Sequence, residues 1–182
     1  MEETYIRKVC EGDADSFRYI LENYKDMAFS LASSIVKDQF AAEEVVQISF
    51  IKTYNNLKSF NGKSKFSTWF YRIVVNESFM YLKARKREII DFKLELDDDV
   101  VDESDLLTLK NEHQDVLINE GLKRLPPKES LALRLFYLQE ESIKSVCEIT
   151  GWSTSNAKVI LHRGRKNMFA ILTLLLKSEL QK

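Results

Sequence analysis

Apolar residues recur at steps of three and four positions along most of the chain, and this spacing restricts the fold more than any other feature. A helix with 3.6 residues per turn collects such positions on one face, so the spacing predicts amphipathic helices. The first covers about residues 17–35, with Asp15 or Ser16 as its N-cap. Only 5 glycines and 2 prolines occur in 182 residues, which argues against a turn-rich all-β fold. We therefore predict an all-α protein.

A second helix is predicted over about residues 41–57. One face of it is shared by Val45, Val46, Ser49, Phe50, Thr53, Tyr54 and Leu57. Ile48 and Ile51 fall outside that face. They form either a second buried face or an exposed interface, and the spacing leaves both alternatives open.

A turn-like stretch from Ser59 to Ser64 precedes a third helix, which is predicted from Ser67, as its N-cap, to about Arg87. This part of the chain is rich in aromatic residues. It is also basic, because residues 58–87 hold 8 Lys and Arg side chains against one acid, Glu77. Such a block indicates a surface for nucleic acid.

The charge changes sign after this block. Residues 91–105 hold 8 acids against one base and lack helical periodicity, which predicts a flexible acidic linker. From residue 149 to 178 there are 5 bases and no acid. We therefore predict two small helical domains, 1–90 and 106–182, joined by a linker at 91–105.

The second domain contains a predicted helix-turn-helix. One helix covers about Ser142 to Thr150, and Gly151 fits the left-handed position that ends it. Ser153 or Thr154 caps a second, basic helix that continues to Met168. Such a helix enters the major groove of DNA and holds phosphates with its flanking bases. The alternative is a basic amphipathic helix on an ordinary bundle.

Several classes of protein are not indicated. The sequence contains no nucleotide-binding glycine loop, no zinc-protease motif and no serine-hydrolase motif, so we expect no enzyme and no cofactor. Cys10 and Cys147 lie far apart, as is typical of buried cytosolic thiols, and the two histidines lack metal-ligand spacing to them. No apolar segment is long enough to span a bilayer, so we expect a cytoplasmic protein without membrane insertion.

Four stretches resemble the extracytoplasmic-function (ECF) sigma factors of the bacterial sigma-70 family. They are residues 43–54 (EEVVQISFIKTY), 57–76 (LKSFNGKSKFSTWFYRIVVN), 125–129 (LPPKE) and 161–166 (LHRGRK). Their order and spacing match the family over about residues 5–170. The resemblance implies a specificity subunit that binds core RNA polymerase and promoter DNA, and it implies an anti-sigma factor as a further partner.

The resemblance assigns roles within the first domain. The second helix looks like the surface that binds core polymerase, through Gln47, Ile48 and Ile51. Ile48 departs from the family, which usually has an acidic or polar residue there. The following loop and third helix look like the reader of the minus-ten element, whose candidate DNA contacts are Lys63, Lys65, Tyr71, Arg72 and Asn76. Asn76 matches the position that contacts an unstacked base.

In the second domain the resemblance implies contacts with the minus-thirty-five element, for which the candidates are Lys158, Val159, His162, Arg163, Arg165 and Lys166. Val159 departs from the small polar residue that is common there, and it suits a thymine methyl group. The resemblance also implies that the acidic linker threads a basic channel of the polymerase, and the alternative is a plain solvated tether. Two alternative functions are a stand-alone helix-turn-helix regulator and a helical adaptor for acidic proteins. The aromatic basic block at residues 58–87 argues against the regulator.

Overall fold

The computed structural model describes residues 2–85 and 111–179 of the chain. The first range contains α1 (Glu2–Cys10), α2 (Phe17–Val36), α3 (Gln39–Asn56) and α4 (Phe66–Arg85). The second range contains α5 (Asn111–Arg124), α6 (Pro127–Leu133), α7 (Ile143–Thr150) and α8 (Thr154–Glu179). Neither range contains a strand. The prediction of an all-α protein with two helical domains is therefore confirmed.

Local hydrogen bonds set the junction between α2 and α3. Lys37 ends α2 in the left-handed region, with φ of 60°, and its N–H donates to the carbonyl of Ser33 at 3.1 Å. Asp38 then caps α3, because its carboxylate accepts the Ala41 N–H at 2.8 Å. At the other end of α2, Ser16 occupies the predicted N-cap position but makes no side-chain capping bond there.

The start of α4 differs from the prediction. The helix begins at Phe66, and the N–H of Trp69 donates to the carbonyl of Lys65 at 3.2 Å. Ser67 therefore lies inside the first turn, and its prediction as the N-cap is wrong. The reason lies in the core, since Phe66 is buried with its ring centroid 5.3 Å from that of Tyr24 and 5.6 Å from that of Phe60.

The second domain surrounds its own apolar cluster. Its buried members are Leu122, Leu125, Ala132, Leu133, Ile160, Leu161 and Ile171. The Pro126–Pro127 break falls where predicted, with Pro126 at the N-cap and Pro127 as the first residue of α6. After α6 the chain continues as a π-helical turn over Arg134–Leu138, which places Arg134 beside α2.

The two domains pack against each other. Leu131, Leu135, Val146 and Ile149 belong to the same buried cluster as the apolar residues of α2, α3 and α4. This seam brings α7 against α4 and α6 against α2. The sequence did not predict it.

The predicted linker at 91–105 lies outside the described residues, as do Lys86 and Arg87 of the basic run. Within the described ranges, no helix combines the length and apolar character needed to cross a membrane.

Candidate nucleic-acid interface

The outer side of α3 presents apolar residues to solvent. Ile48 is 37% exposed and Ile51 is 61% exposed, and Gln47 lies beside them on the exposed side. The structure thus resolves the open alternative, because these isoleucines form an exposed surface and not a second buried face. We call Gln47, Ile48 and Ile51 the α3 surface.

The inner side of α3 explains how polar residues enter the core. Ser49 and Thr53 are fully buried, and each hydroxyl donates to the carbonyl four residues earlier at 2.7 Å. These bonds satisfy both hydroxyls within the helix, so their burial leaves no polar group unpaired. On the neighbouring face, Lys52 and Glu77 form an ion pair of 2.7 Å that joins α3 to α4.

Aromatic packing fixes the loop before α4. The ring centroid of Phe60 lies 5.4 Å from that of Trp69 and 5.6 Å from that of Phe66. The tip of the loop turns at Gly62, where φ is 70°, and the Asn61 carboxamide oxygen accepts the Lys63 N–H at 3.1 Å. The side chains of Lys63 and Lys65 therefore extend into solvent from an anchored turn.

Arg72 and Asn76 lie four residues apart on α4 and are both exposed, so they share one outward face. Neither side chain forms a hydrogen bond or ion pair with another described residue. Both remain available to a ligand. We call Lys63, Lys65, Arg72 and Asn76 the α4 surface.

Tyr71 differs from the other candidate DNA contacts, because only 8% of it is exposed. It belongs to the cluster that also contains Val146 and Ile149 of α7. Burial raises the pKa of its hydroxyl to about 12, and the nearby carboxylates of Glu141 and Glu2 add to the shift. In the packed arrangement, Tyr71 is therefore closed to a large ligand.

The predicted helix-turn-helix is present as α7, a three-residue turn and α8. The Ser142 hydroxyl accepts the Ser145 N–H at 3.1 Å at the start of α7. Gly151 ends that helix with φ of 75°, and its N–H donates to the carbonyl of Cys147 at 2.8 Å. Ser153 caps α8 by accepting the Asn156 N–H at 3.3 Å. The prediction of Gly151 at the end of α7 is confirmed, and of the two predicted caps of α8 the structure shows Ser153. Helix α8 continues to Glu179, beyond the predicted end at Met168.

The outward face of α8 carries all of the residues predicted for it. The exposed side chains are those of Lys158, Val159, His162, Arg163, Arg165 and Lys166, which we call the α8 surface. The inward face is formed by Ala157, Ile160 and Leu161, which hold α8 on the domain core. The Arg165 guanidinium also donates to the Tyr137 hydroxyl at 3.2 Å, which restrains its position.

Two exposed residues at the start of α8 were not identified from the sequence. Ser155 and Asn156 lie in the first turn, next to the Ser153 cap. Residues at the N-terminus of a recognition helix are those that contact base edges. The position of the Ser153 cap identifies them, because the residues that follow a cap form the first turn of the helix.

The thiols and metal ligands can be placed within the described ranges. Cys10 and Cys147 are both free and only partly buried, whereas buried thiols were predicted. No group of three or more His, Cys, Asp or Glu side chains in those ranges is arranged to hold a metal ion.

Comparison with known proteins gives two family matches. Sigma-70 region 2 matches residues 20–88, and Sigma-70, region 4 matches residues 116–168. The ECF RNA polymerase sigma factor SigW of Bacillus subtilis is 29% identical over 176 residues, which are 88% of this chain and 91% of that protein. The ECF RNA polymerase sigma-E factor of Haemophilus influenzae is 27% identical over 177 residues, covering 91% of this chain and 92% of that protein.

The fold also resembles a solved structure, that of the sigma factor RpoE in complex with the anti-sigma factor NepR from Bartonella quintana. The TM-score is 0.65 at 19% sequence identity, and the match covers 88% of this chain and 98% of that chain. Both described domains therefore have counterparts in that fold.

Proposed function

Because the chain belongs to the sigma-70 family and is an RNA polymerase sigma factor of the ECF type, we propose that its α4 and α8 surfaces divide promoter recognition between them. The observation that carries this proposal is that Arg72 and Asn76 share one exposed face of α4, the helix that follows a basic loop anchored by aromatic rings. The domains are proposed to extend over 1–90 and 106–182.

The α4 surface is proposed to read the minus-ten element as separated strands. Lys63, Lys65 and Arg72 neutralise phosphates. The Asn76 amide offers both a donor and acceptors, so it pairs with the edge of a base that has left the stack. Capture of that base offsets part of the free energy needed to melt the promoter. Tyr71 joins this surface only after α7 has moved away from α4.

The α8 surface is proposed to read the minus-thirty-five element as a duplex. Ser155, Asn156 and Lys158 lie near the N-terminus of α8, which is the part of such a helix that meets base edges. Val159 contacts a thymine methyl group, and Arg163 reads a base edge. Arg165 and Lys166 contact phosphates on the flank.

The α3 surface is proposed to bind core polymerase. Exposed apolar side chains such as Ile51 lose water on docking, which favours association. The protein acts in the cytoplasm, and the polymerisation chemistry belongs to the core enzyme, with no catalysis by this chain. An anti-sigma factor is the proposed regulatory partner.

Run-off transcription on genomic fragments with purified core polymerase tests the proposal. The full chain is expected to produce specific transcripts and to co-purify with core polymerase without DNA. A stand-alone regulator would bind promoter DNA but would neither join core nor start transcripts, and that result would overturn the proposal.

A further inference from the structure

A cleft lies at the seam between the two domains, away from the α3, α4 and α8 surfaces. It encloses about 390 Å³. The first domain contributes the end of α2 and the start of α3, and the second contributes α5 and the π-helical turn. The lining residues are Phe29, Ser30, Ser33, Ser34, Lys37, Asp38, Gln39, Asn119, Leu122, Lys123 and Arg134.

The cleft has an excess of positive charge. Lys37, Lys123 and Arg134 line it, against the single carboxylate of Asp38. Lys123 is exposed and already forms an ion pair of 3.6 Å with Glu120, so the unpaired cations are Lys37 and Arg134. The Asp38 carboxylate is already engaged, since it caps α3 through a backbone N–H at 2.8 Å. Neither Lys37 nor Arg134 forms an ion pair with a carboxylate of the described residues.

The two cations are half-buried and have only neutral partners. The Lys37 ammonium donates to the carbonyl of Leu122 at 2.5 Å, and the Arg134 Nε donates to the Ser34 hydroxyl at 2.8 Å. Of the remaining guanidinium donors, Nη2 reaches the Asn119 carboxamide oxygen at 3.5 Å, a long contact. Both groups thus keep donors free to face the cleft.

The closeness of two cations that are partly removed from water is electrostatically unfavourable. Loss of water lowers the pKa of Lys37 to about 7, and the like charge of Arg134 contributes to that shift. Loss of water also lowers the pKa of Arg134. A counter-charge stabilises cations that are partly removed from water, and no described carboxylate forms an ion pair with Lys37 or Arg134.

A hydroxyl in the lining also lacks a partner. The Ser33 Oγ is buried and forms no hydrogen bond with a described residue. Buried polar atoms are normally paired, and Ser33 lines the same cleft as the two cations, so a rotation of its side chain would offer the hydroxyl to an acceptor there. An anion with several oxygen atoms would accept from the hydroxyl, the ammonium and the guanidinium together.

We propose that this cleft binds a small phosphate-bearing anion, held by Arg134 and Lys37 with the Ser33 hydroxyl as an additional donor. The planar guanidinium matches two phosphate oxygens at once, and the ammonium supplies a point charge. The volume lies at the small end of ligand pockets, which suits a phosphate or pyrophosphate group better than a large cofactor. Lys37 belongs to the first domain and Arg134 to the second, so the bound anion links the two domains.

Calorimetric titration of the full chain with inorganic phosphate and with pyrophosphate, at about pH 8, tests the proposal. We expect a single saturable site. Arg134→Gln and Lys37→Gln should each weaken binding about tenfold or more, because each removes a charge-assisted contact. Arg18→Gln and Lys25→Gln are matched controls on the exposed side of α2, outside the cleft, and should leave binding unchanged.

Proton uptake provides a second readout. An anion restores the positive charge of Lys37, so binding at about pH 8 should take up protons, and Lys37→Gln should abolish that uptake. Heats measured in buffers of different ionisation enthalpy report the number of protons. Binding without proton uptake would overturn the assignment of Lys37.

Changes in backbone amide NMR shifts on titration of the unmodified protein locate the site, so this measurement does not depend on whether a variant folds. We expect the shifts to concentrate at residues 33–38 and around Arg134, and Lys123→Gln at the rim should weaken binding without disturbing the fold. No saturable binding, equal affinity in all variants, or shifts confined to the start of α8 would each overturn the proposal. The last outcome would mean that the phosphate occupies the DNA-binding surface.

Discussion

Asn76 follows Arg72 by about one turn of α4. The two residues therefore lie close together on one face but are suited to different parts of DNA. The arginine is suited to backbone phosphate, and the asparagine to a base edge. Tyr71 is their chain neighbour but points into the core, because successive helical positions lie about 100° apart. One helix therefore uses adjacent residues for packing and for recognition.

Replacement of Asn76 by alanine should impair promoter opening while leaving core binding intact. Loss of one base contact costs about 1–3 kcal/mol, so opening should fall by about fivefold or more. Permanganate reactivity of the promoter bubble measures opening, and core affinity is measured in parallel. Asn23→Ala, an exposed asparagine of α2 bonded to the Tyr19 carbonyl, is the matched control. Unchanged opening in Asn76→Ala would remove this residue from the site.

Arg163→Ala should weaken binding to the upstream element by about 1–3 kcal/mol if the side chain reads a base edge. If it contacts only phosphate, the loss should be equal on all sequences and the salt slope should fall by about one. Titrations on matched and scrambled elements at several salt concentrations separate these two cases. Wild-type binding on both DNAs would contradict either role.

At the level of single elements, the turn between α7 and α8 depends on one backbone conformation. A Cβ at Gly151 would meet no atom within 4 Å, yet φ there is +75°. Gly151→Ala should therefore lower the free energy of unfolding by about 1–3 kcal/mol through backbone strain alone. Thermal or urea unfolding measures the change, with Ser155→Ala on the exposed first turn of α8 as a control. Full stability in Gly151→Ala would show that the turn can relax.

The sequence predicted the helices better than their mutual packing. Periodicity located α2 and α3 to within about two residues, and cap chemistry located the turn at Gly151. The start of α4 was misplaced because a serine resembles a cap, while burial of Phe66 determines where the helix begins. Exposure of Ile48 and Ile51 could not be derived, since it depends on which neighbours cover α3.

The seam itself has no sequence signature. Val146 and Ile149 lie on the apolar face of a short helix, and any such face predicts burial without naming the surface that covers it. The burial of Tyr71 follows from this contact, so the sequence offered no means of separating it from its exposed neighbours. The cationic cleft was equally hidden, because Lys37 and Arg134 are 97 positions apart (134 − 37).

At the level of the whole molecule, the packing of the domains should depend on pH. The pKa of Lys37 is lowered to about 7 at the seam, first by loss of water and then by Arg134, and its ordinary value is 10.5. Asp38 and Lys123 are the other charged groups lining the cleft around it. Between these two values the separated form binds more protons than the packed form, so rising pH favours packing. Below about pH 7 both forms are protonated, and packing carries the full cost of the desolvated charge.

Small-angle X-ray scattering across about pH 6 to pH 9 measures this response. The radius of gyration should decrease as the pH rises, and Lys37→Met should flatten the curve because the titrating group is gone. Lys25→Met, a substitution on the exposed part of α2, should keep the wild-type response. A pH response that persists in Lys37→Met would assign the effect to another group.

Trp152, at the turn of the helix-turn-helix, packs against the second domain's own apolar cluster and against the cluster that the two domains share at the seam. The chain has 2 tryptophans, and the other, Trp69, lies beside Phe60 under the loop before α4. A Trp69→Phe variant would leave one emitter, placed where the domains meet. Its fluorescence would shift to longer wavelength as water reaches the indole. Separation of the two domains could therefore be followed by intrinsic fluorescence without an attached dye.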